Sequence, residues 1–220
     1  MDSTNNRRSF VPRSLLLGSV FSVLGATGCS GVPDGVPDAA DEGSLGVSAE
    51  AFTRTGSLPW RGAAQKNINP GHFGGDLAVY AADIGMSRPT CFRCLGPLRV
   101  TSIKFWYITS TSTTPQSMTL GTGSAEKWTQ QVCPAGTLAS GYQIGVGTAT
   151  GAKRIEKFGL ICTEQTRKRT TFMPVLGTSN ILFPELLDCS GQFTTDPIRF
   201  MGDVYMNAAG DGISAECVRL

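Results

Sequence analysis

The sequence predicts an all-β domain of three antiparallel sheets packed about a common axis, each built from a repeat of about 56 residues and stabilised by disulfides. Three observations carry this. Gly 27 and Pro 12 resist helix along the whole chain, and no window after Arg54 keeps a helical period for three turns. Short apolar runs alternate with polar residues at period two. The same residue spacings return twice in the C-terminal half.

The first 28 residues read as an export signal and stand outside the fold. Arg7-Arg8 before Ser9-Phe10-Val11 resembles a twin-arginine signal. Leu15 to Leu24 is apolar but too short to span a bilayer, which takes about 20 residues. It runs into Ala26-Thr27-Gly28-Cys29, which resembles a bacterial lipobox with Cys29 as the acylated N-terminus; Ala26 stands where such motifs prefer Leu. The alternative is plain secretion after cleavage nearby. Residues 29–53 carry two Gly-Val-Pro-Asp units and only acidic charges, Asp34, Asp38, Asp41, Glu42 and Glu50. Such a segment buries too little surface to order itself and reads as a flexible acidic linker. The domain is expected over 54–220, with 16 basic and 11 acidic residues, a net +5. Charge this mild, with Arg167-Lys168-Arg169 the one dense basic run, does not suggest nucleic acid as a partner.

Leu120-Gly121-Thr122 and Leu176-Gly177-Thr178 each place their glycine the same distance before a cysteine, Cys133 and Cys189. The interval from Cys133 to Cys162 nearly equals that from Cys189 to Cys217. A first copy lacks these cysteines. Its expected marks are Thr55-Gly56-Ser57 with Trp60, echoing Thr122-Gly123-Ser124 with Trp128, then Pro70-Gly71 against Pro134 and Gly136. Gly96 before Tyr107 matches Gly151 before Cys162 in spacing. The strands follow in order. Ile103, Phe105 and Tyr107 alternate with Lys104 and Trp106, and Tyr142, Ile144 and Val146 with Gln143 and Gly145. Phe158, Leu160 and Cys162 repeat the pattern, as do Ile213, Ala215 and Cys217. Tyr107, Cys162 and Cys217 are expected at equivalent positions. Phe105, Leu160 and Ala215, two residues earlier, are expected together on the inner faces; because Ala215 is small, the third sheet is expected to sit closer to the axis or to be filled by Phe200 or Met206. One four-stranded sheet cannot bury its apolar face alone; three around an axis can.

The stretch CPAG…SGYQI…GAKRIEKFGLIC, from Cys133 to Cys162, resembles the repeat of the vitelline membrane outer layer protein family. That resemblance implies a β-prism of three sheets, a shape shared with jacalin-like lectins, and association with extracytoplasmic carbohydrate. Apart from Cys29, six cysteines remain. Six allow 15 connectivities. The repeat suggests Cys133–Cys162 and Cys189–Cys217, with each pair expected inside one copy and one sheet. Cys91-Phe92-Arg93-Cys94 is open to a redox, zinc or small-loop disulfide reading. Pro89 before it and Leu95-Gly96-Pro97 after it leave no helix start, so the disulfide is preferred.

His72 is the sole histidine, set in the turn Pro70 to Gly75, and no G-x-S-x-G elbow exists. No Ser-His-Asp centre, metal site or cofactor is expected. Asp76, Asp83, Glu126, Asp203 and Asp211 are carboxylates from which no spacing selects a glycosidase pair. Sugar binding needs planar polar groups and an aromatic face. Gly74-Gly75-Asp76 resembles the glycine pair of jacalin-type sites, and the turn Asn207 to Gly212 offers Asn207 and Asp211. Trp60 and Trp128 are candidates for stacking on a sugar, against a plainer role in packing. The expected protein is an exported, lipid-anchored or secreted β-prism module that binds a glycan or envelope polymer and meets membrane only through its anchor. The alternatives are a structural or protein-binding envelope component and an enzyme on amino-sugar polymers.

Overall fold

A computed structural model describes residues 52–64, 68–70, 77–88, 98–110, 112, 114–148, 152–166, 169–177, 183–191 and 197–219. Cys29, the linker as far as residue 51, His72, Gly74, Gly75, Asp76 and the Cys91–Cys94 pair lie outside these residues.

The described residues are strand and turn, without helix. The first sheet, B, is contiguous in sequence: β4 (Leu77–Ser87), β5 (Arg99–Thr109), β6 (Gln116–Gly121) and β7 (Lys127–Val132), in the order β6-β5-β4-β7. Sheet C follows: β8 (Thr137–Gly147), β9 (Arg154–Glu164), β10 (Thr170–Phe172) and β11 (Glu185–Asp188), in the order β10-β9-β8-β11. Sheet A closes the ring from both ends of the chain. Its centre is the hairpin β12 (Phe200–Asn207) and β13 (Gly212–Arg219). β1 (Thr53–Ser57) and β2 (Arg61–Gly62) share the far side of β13, and β3 (Ile68–Pro70) covers β12. All pairings are antiparallel. Three four-strand-wide sheets about an axis are therefore what the alternation and the repeat predicted.

The central hairpins are equivalent in detail. Tyr107 pairs with Val79, Cys162 with Ala139 and Cys217 with Met201, each beside a bulge. Two bulged residues receive the chain as it leaves an edge strand: the carbonyls of Tyr80 and Ser140 accept the N–H of Cys133 and Cys189, at 2.9 and 2.8 Å. Phe105, Leu160 and Ala215 belong to one buried cluster with Ile103, Tyr142, Phe158 and Ile213. Tyr142 stacks on Phe158 at 5.5 Å, and Phe105 meets Phe158 edge-on at 6.2 Å. Met206 belongs to the same cluster as Ala215, whose partner across the hairpin is Val204. Phe200 does not; it joins a second cluster with Phe52, Tyr80, Trp106, Ile108 and Val218, where sheets A and B meet. Phe52 is buried and Thr53 pairs with Arg219, so these two residues belong to the packed fold together with Arg54.

The first copy needs correction. Gly62, Gly121 and Gly177 all have positive φ, and a side chain at each would collide with the carbonyl oxygen of Asp211, Thr101 or Glu156. Thr101, Glu156 and Asp211 are evenly spaced in sequence, so Arg61-Gly62 is the third counterpart of Leu120-Gly121 and Leu176-Gly177. Thr55-Gly56-Ser57 is not the match for Thr122-Gly123-Ser124: Gly56 lies in β1 opposite Cys217, whereas Gly123 is a turn residue with φ 73°. Pro70 pairs with Tyr205 inside β3, whereas Pro134 follows the end of β7.

The disulfides are also placed differently. The bonds are Cys133–Cys162 and Cys189–Cys217, with Cα separations of 5.6 and 5.5 Å. Neither lies within a sheet. Each first cysteine follows the last edge strand of one sheet, and each second cysteine sits on a central strand of the next. A repeat spacing fixes a period and not its phase, so it cannot say which sheet a cysteine leaves. The B–C corner has a second fastening. Pro174 has no N–H to give to β9, and buried Gln131 of β7 fills the gap. Its Oε1 accepts the Leu160 N–H at 2.9 Å while its Nε2 donates to the Pro174 carbonyl at 2.5 Å. Gln143 Nε2 satisfies the neighbouring Met173 carbonyl at 2.7 Å.

Candidate functional site

At one end of the prism the three sheets surround a cavity of about 290 Å³, near the lower limit for small-molecule sites, about 300–1,000 Å³. Sheet B supplies Ser87 and Arg88 from the end of β4, Arg99, Val100 and Thr101 from the start of β5, and Thr122 and Ser124 from the β6–β7 turn. Sheet C supplies Arg154, the first residue of β9. Sheet A supplies Ala209 and Asp211 from the β12–β13 turn. Arg99, Arg154 and Ala209 are evenly spaced at the repeat interval, so one repeat position reaches the cavity from every sheet. The cavity therefore lies where the pseudo-threefold axis leaves the prism.

Local structure holds its wall. The Thr122 N–H donates to the Thr101 carbonyl at 3.1 Å, and the hydroxyls of Ser102 and Thr122 are 2.8 Å apart. Thr101 Oγ1 donates to Ser87 Oγ at 3.3 Å. Gly210, with φ 71°, packs its bare Cα face on the Thr101 carbonyl, which seats the sheet A turn against sheet B. Asn207 is buried and organises that turn: its Oδ1 accepts the N–H groups of Asp211 and Gly212 at 2.9 and 3.0 Å, and its Nδ2 donates to the Asp211 carboxylate. Asp211 faces the cavity while Asn207 holds it there.

Of the sequence candidates, Asp211 alone lines this cavity. Trp60 and Trp128 are elsewhere, and their positions are not equivalent. The Trp60 ring lies on Gly212 and its Nε1 donates to the Ala63 carbonyl at 2.5 Å, a packing role. Trp128 lies over Gly85, its partner on β4, with 41% of its surface exposed on the outer face of sheet B. That face also carries Trp106, whose Nε1 donates to Asp83 at 3.0 Å and whose ring has Lys104 Nζ 4.1 Å above it. The arginines are what the sequence reading missed. Arg99 and Arg154 share the repeat offset, which is the signal that could have found them.

Away from this cavity, the fold shifts the protonation of several groups. Arg61 bonds Glu185 through Nε and Nη2, at 2.7 and 2.5 Å, across the A–C corner, and holds its carboxyl below the usual range. Burial pushes Asp188 up. Burial and the bond to Glu216, 2.6 Å away, push the Tyr205 hydroxyl up, and Arg54 pairs with the same Glu216 oxygen at 2.9 Å. Burial beside Asp83 pushes Tyr80 up to about 12. Among the described residues, no three His, Cys, Asp or Glu side chains are grouped to hold a metal.

No protein-family model and no curated protein matches this sequence. Solved structures do match in shape. A Calsepa lectin in complex with a bisected glycan aligns over 74% of this chain and 97% of its own, with a TM-score of 0.50 and 10% identity. Calystegia sepium agglutinin gives a TM-score of 0.50 at 11% identity, covering 75% and 96%. The insecticidal delta-endotoxin Cry8Ea1 from Bacillus thuringiensis gives 0.53 at 13% identity, over 78% of this chain and 34% of the toxin. Identities this low establish the fold, a β-prism of the lectin type, and nothing finer. The coarse part of the family resemblance, its three-sheet architecture, is thereby supported.

Proposed function

We propose that this protein is a glycan-binding β-prism module that works outside the cytoplasm, tethered by Cys29 to the cell envelope. The observation that carries the binding reading is the cavity at the prism end. It joins side chains of all three sheets on a rigid scaffold, and it offers hydroxyls, a fixed carboxylate and guanidiniums at a size suited to a short saccharide. The lectin-type fold supports the reading by analogy. Binding without catalysis is part of it: among the described residues a single carboxylate, Asp211, lines the cavity, and it accepts a bond from Asn207. The test is a glycan array probed with the mature chain, scored beside Asp211→Asn. Selective binding that Asp211→Asn weakens is the expected result; no signal on any glycan sinks it.

One observation favours the rival, a protein-binding envelope component. Phe183 is 88% exposed just before the edge strand β11, where Leu186 is also exposed. Unchanged array signal after Phe183→Ser separates the two readings.

The envelope part rests on the leader and on two disulfides that need an oxidising compartment. Replacing Cys29 with Ser is expected to move the protein from membranes to the soluble fraction. A single acyl chain binds only marginally, so more than one chain is expected on Cys29. Membrane association that survives the change removes Cys29 as the anchor.

A further inference from the structure

We propose that the prism-end cavity selects acidic saccharides, sugars carrying carboxylate or sulfate groups; this rests on the glycan-binding reading above. Its described lining residues include three arginines, Arg88, Arg99 and Arg154, against one aspartate, Asp211, a balance of +2 among them. Among the described residues, none of the three guanidiniums forms an ion pair; the two ion pairs there involve Arg54 and Arg61. Arg154 Nε is buried and has no hydrogen-bond partner. An unpartnered buried donor carries an uncompensated cost, which an acceptor bound to this guanidinium would reduce. Asp211, whose carboxylate accepts a bond from Asn207 Nδ2, offsets one of the three charges but forms no ion pair with any of them. The nearby Glu126 carboxylate accepts the Arg88 backbone N–H at 2.9 Å and lies outside the lining.

The rest of the lining points the same way. Among the described residues of the lining there is no aromatic ring on which the apolar face of a neutral sugar could stack. Attraction must come from polar groups. Ser87, Thr101, Thr122 and Ser124 suit ring hydroxyls. Guanidiniums suit planar or tetrahedral oxyanions, with two N–H donors in a fixed fork. A neutral saccharide would desolvate three cations without supplying countercharge, which is a penalty. An acidic one supplies it. Repeat geometry makes the arrangement possible: Arg99 and Arg154 are the same position in sheets B and C, and Ala209 occupies it in sheet A, where the small side chain leaves room.

Calorimetric titration of the full chain in detergent tests this with galactotetraose, tetragalacturonate, a sulfated chondroitin tetrasaccharide and inorganic sulfate. At least one acidic tetrasaccharide is expected to bind about tenfold or more tightly than galactotetraose, since a charge-assisted bond contributes about 1.5–3 kcal/mol. Preference between the two acidic probes tells carboxylate from sulfate recognition. Arg154→Gln and Arg99→Gln should each weaken that binding about tenfold, with melting temperature retained in at least one, and added salt should weaken it further. Galactotetraose binding as tightly, indifferent to both arginine changes, overturns the acidic selectivity and leaves glycan binding standing. Binding of sulfate alone, or of no probe, overturns both.

Discussion

Replacing Leu160 with Asp is expected to leave the chain unfolded. Leu160 is fully buried on β9, between β8 and β10, in the cluster formed by all three sheets. Its backbone is fixed as well: the carbonyl accepts the Met173 N–H at 2.9 Å, and the N–H donates to Gln131 at 2.9 Å. The side chain therefore has no route to solvent short of breaking the B–C corner. An aspartate there is either an unpaired buried charge or a protonated acid lacking partners. Even after relaxation the charge costs several kcal/mol, and the lost apolar volume about 2–5 kcal/mol more. Against a total stability of about 5–15 kcal/mol, the sum removes the native state. Leu160→Met nearly conserves volume and should cost less than about 1.5 kcal/mol. Far-UV circular dichroism and urea unfolding check both. A cooperative transition for Leu160→Asp near the parent midpoint would refute the placement of this face at the axis.

Much of this core was legible because it depends on period and spacing. Ile103, Phe105 and Tyr107 show their buried face by alternation, and Phe158, Leu160 and Cys162 repeat it one copy later. The Leu-Gly-Thr spacing was legible too, since only glycine fits beside the carbonyls of Thr101 and Glu156. Sheet A was harder. β2 and β3 are too short to show any period, and they pair with strands at the opposite end of the chain. Their place follows from closure of the ring, a global constraint with no local signature. The cavity was the least legible. Arg88, Arg99 and Arg154 each stand at or beside a strand end, where a lone arginine looks like ordinary surface charge. Only the fold shows that three strand ends meet. Trp60 and Trp128 are conspicuous in sequence, and what the sequence could not show is that each ring covers a strand glycine.

Removing both disulfides is expected to bring the fold to the edge of stability. Each closes a loop of nearly the same length, with sequence separations of 29 and 28. In the chain-entropy picture such a loop stabilises by about 3–4 kcal/mol, so the pair together contributes about 6–8 kcal/mol. The two bonds are not redundant, because they fasten different corners, B to C and C to A. Corner B–C keeps Gln131 when its bond is lost, with two buried hydrogen bonds still in place. Corner C–A keeps the Arg61–Glu185 pair, which is half-exposed and therefore worth less. At corner A–B, Tyr107 stands at the position of the cysteines, and the cluster of Phe52, Trp106, Phe200 and Val218 packs the two sheets together. Cys189→Ala/Cys217→Ala should consequently be more harmful than Cys133→Ala/Cys162→Ala. Loss at C–A frees the strands that close the ring, β13 with β1 and β2, whereas loss at B–C leaves two contiguous sheets intact. Urea midpoints for the two double variants, and for the parent with and without dithiothreitol, give the ranking. Equal midpoints in oxidised and reduced parent would show that apolar packing alone closes the prism. The reverse ranking would show that the Gln131 bridge, not ring closure, sets the weaker corner.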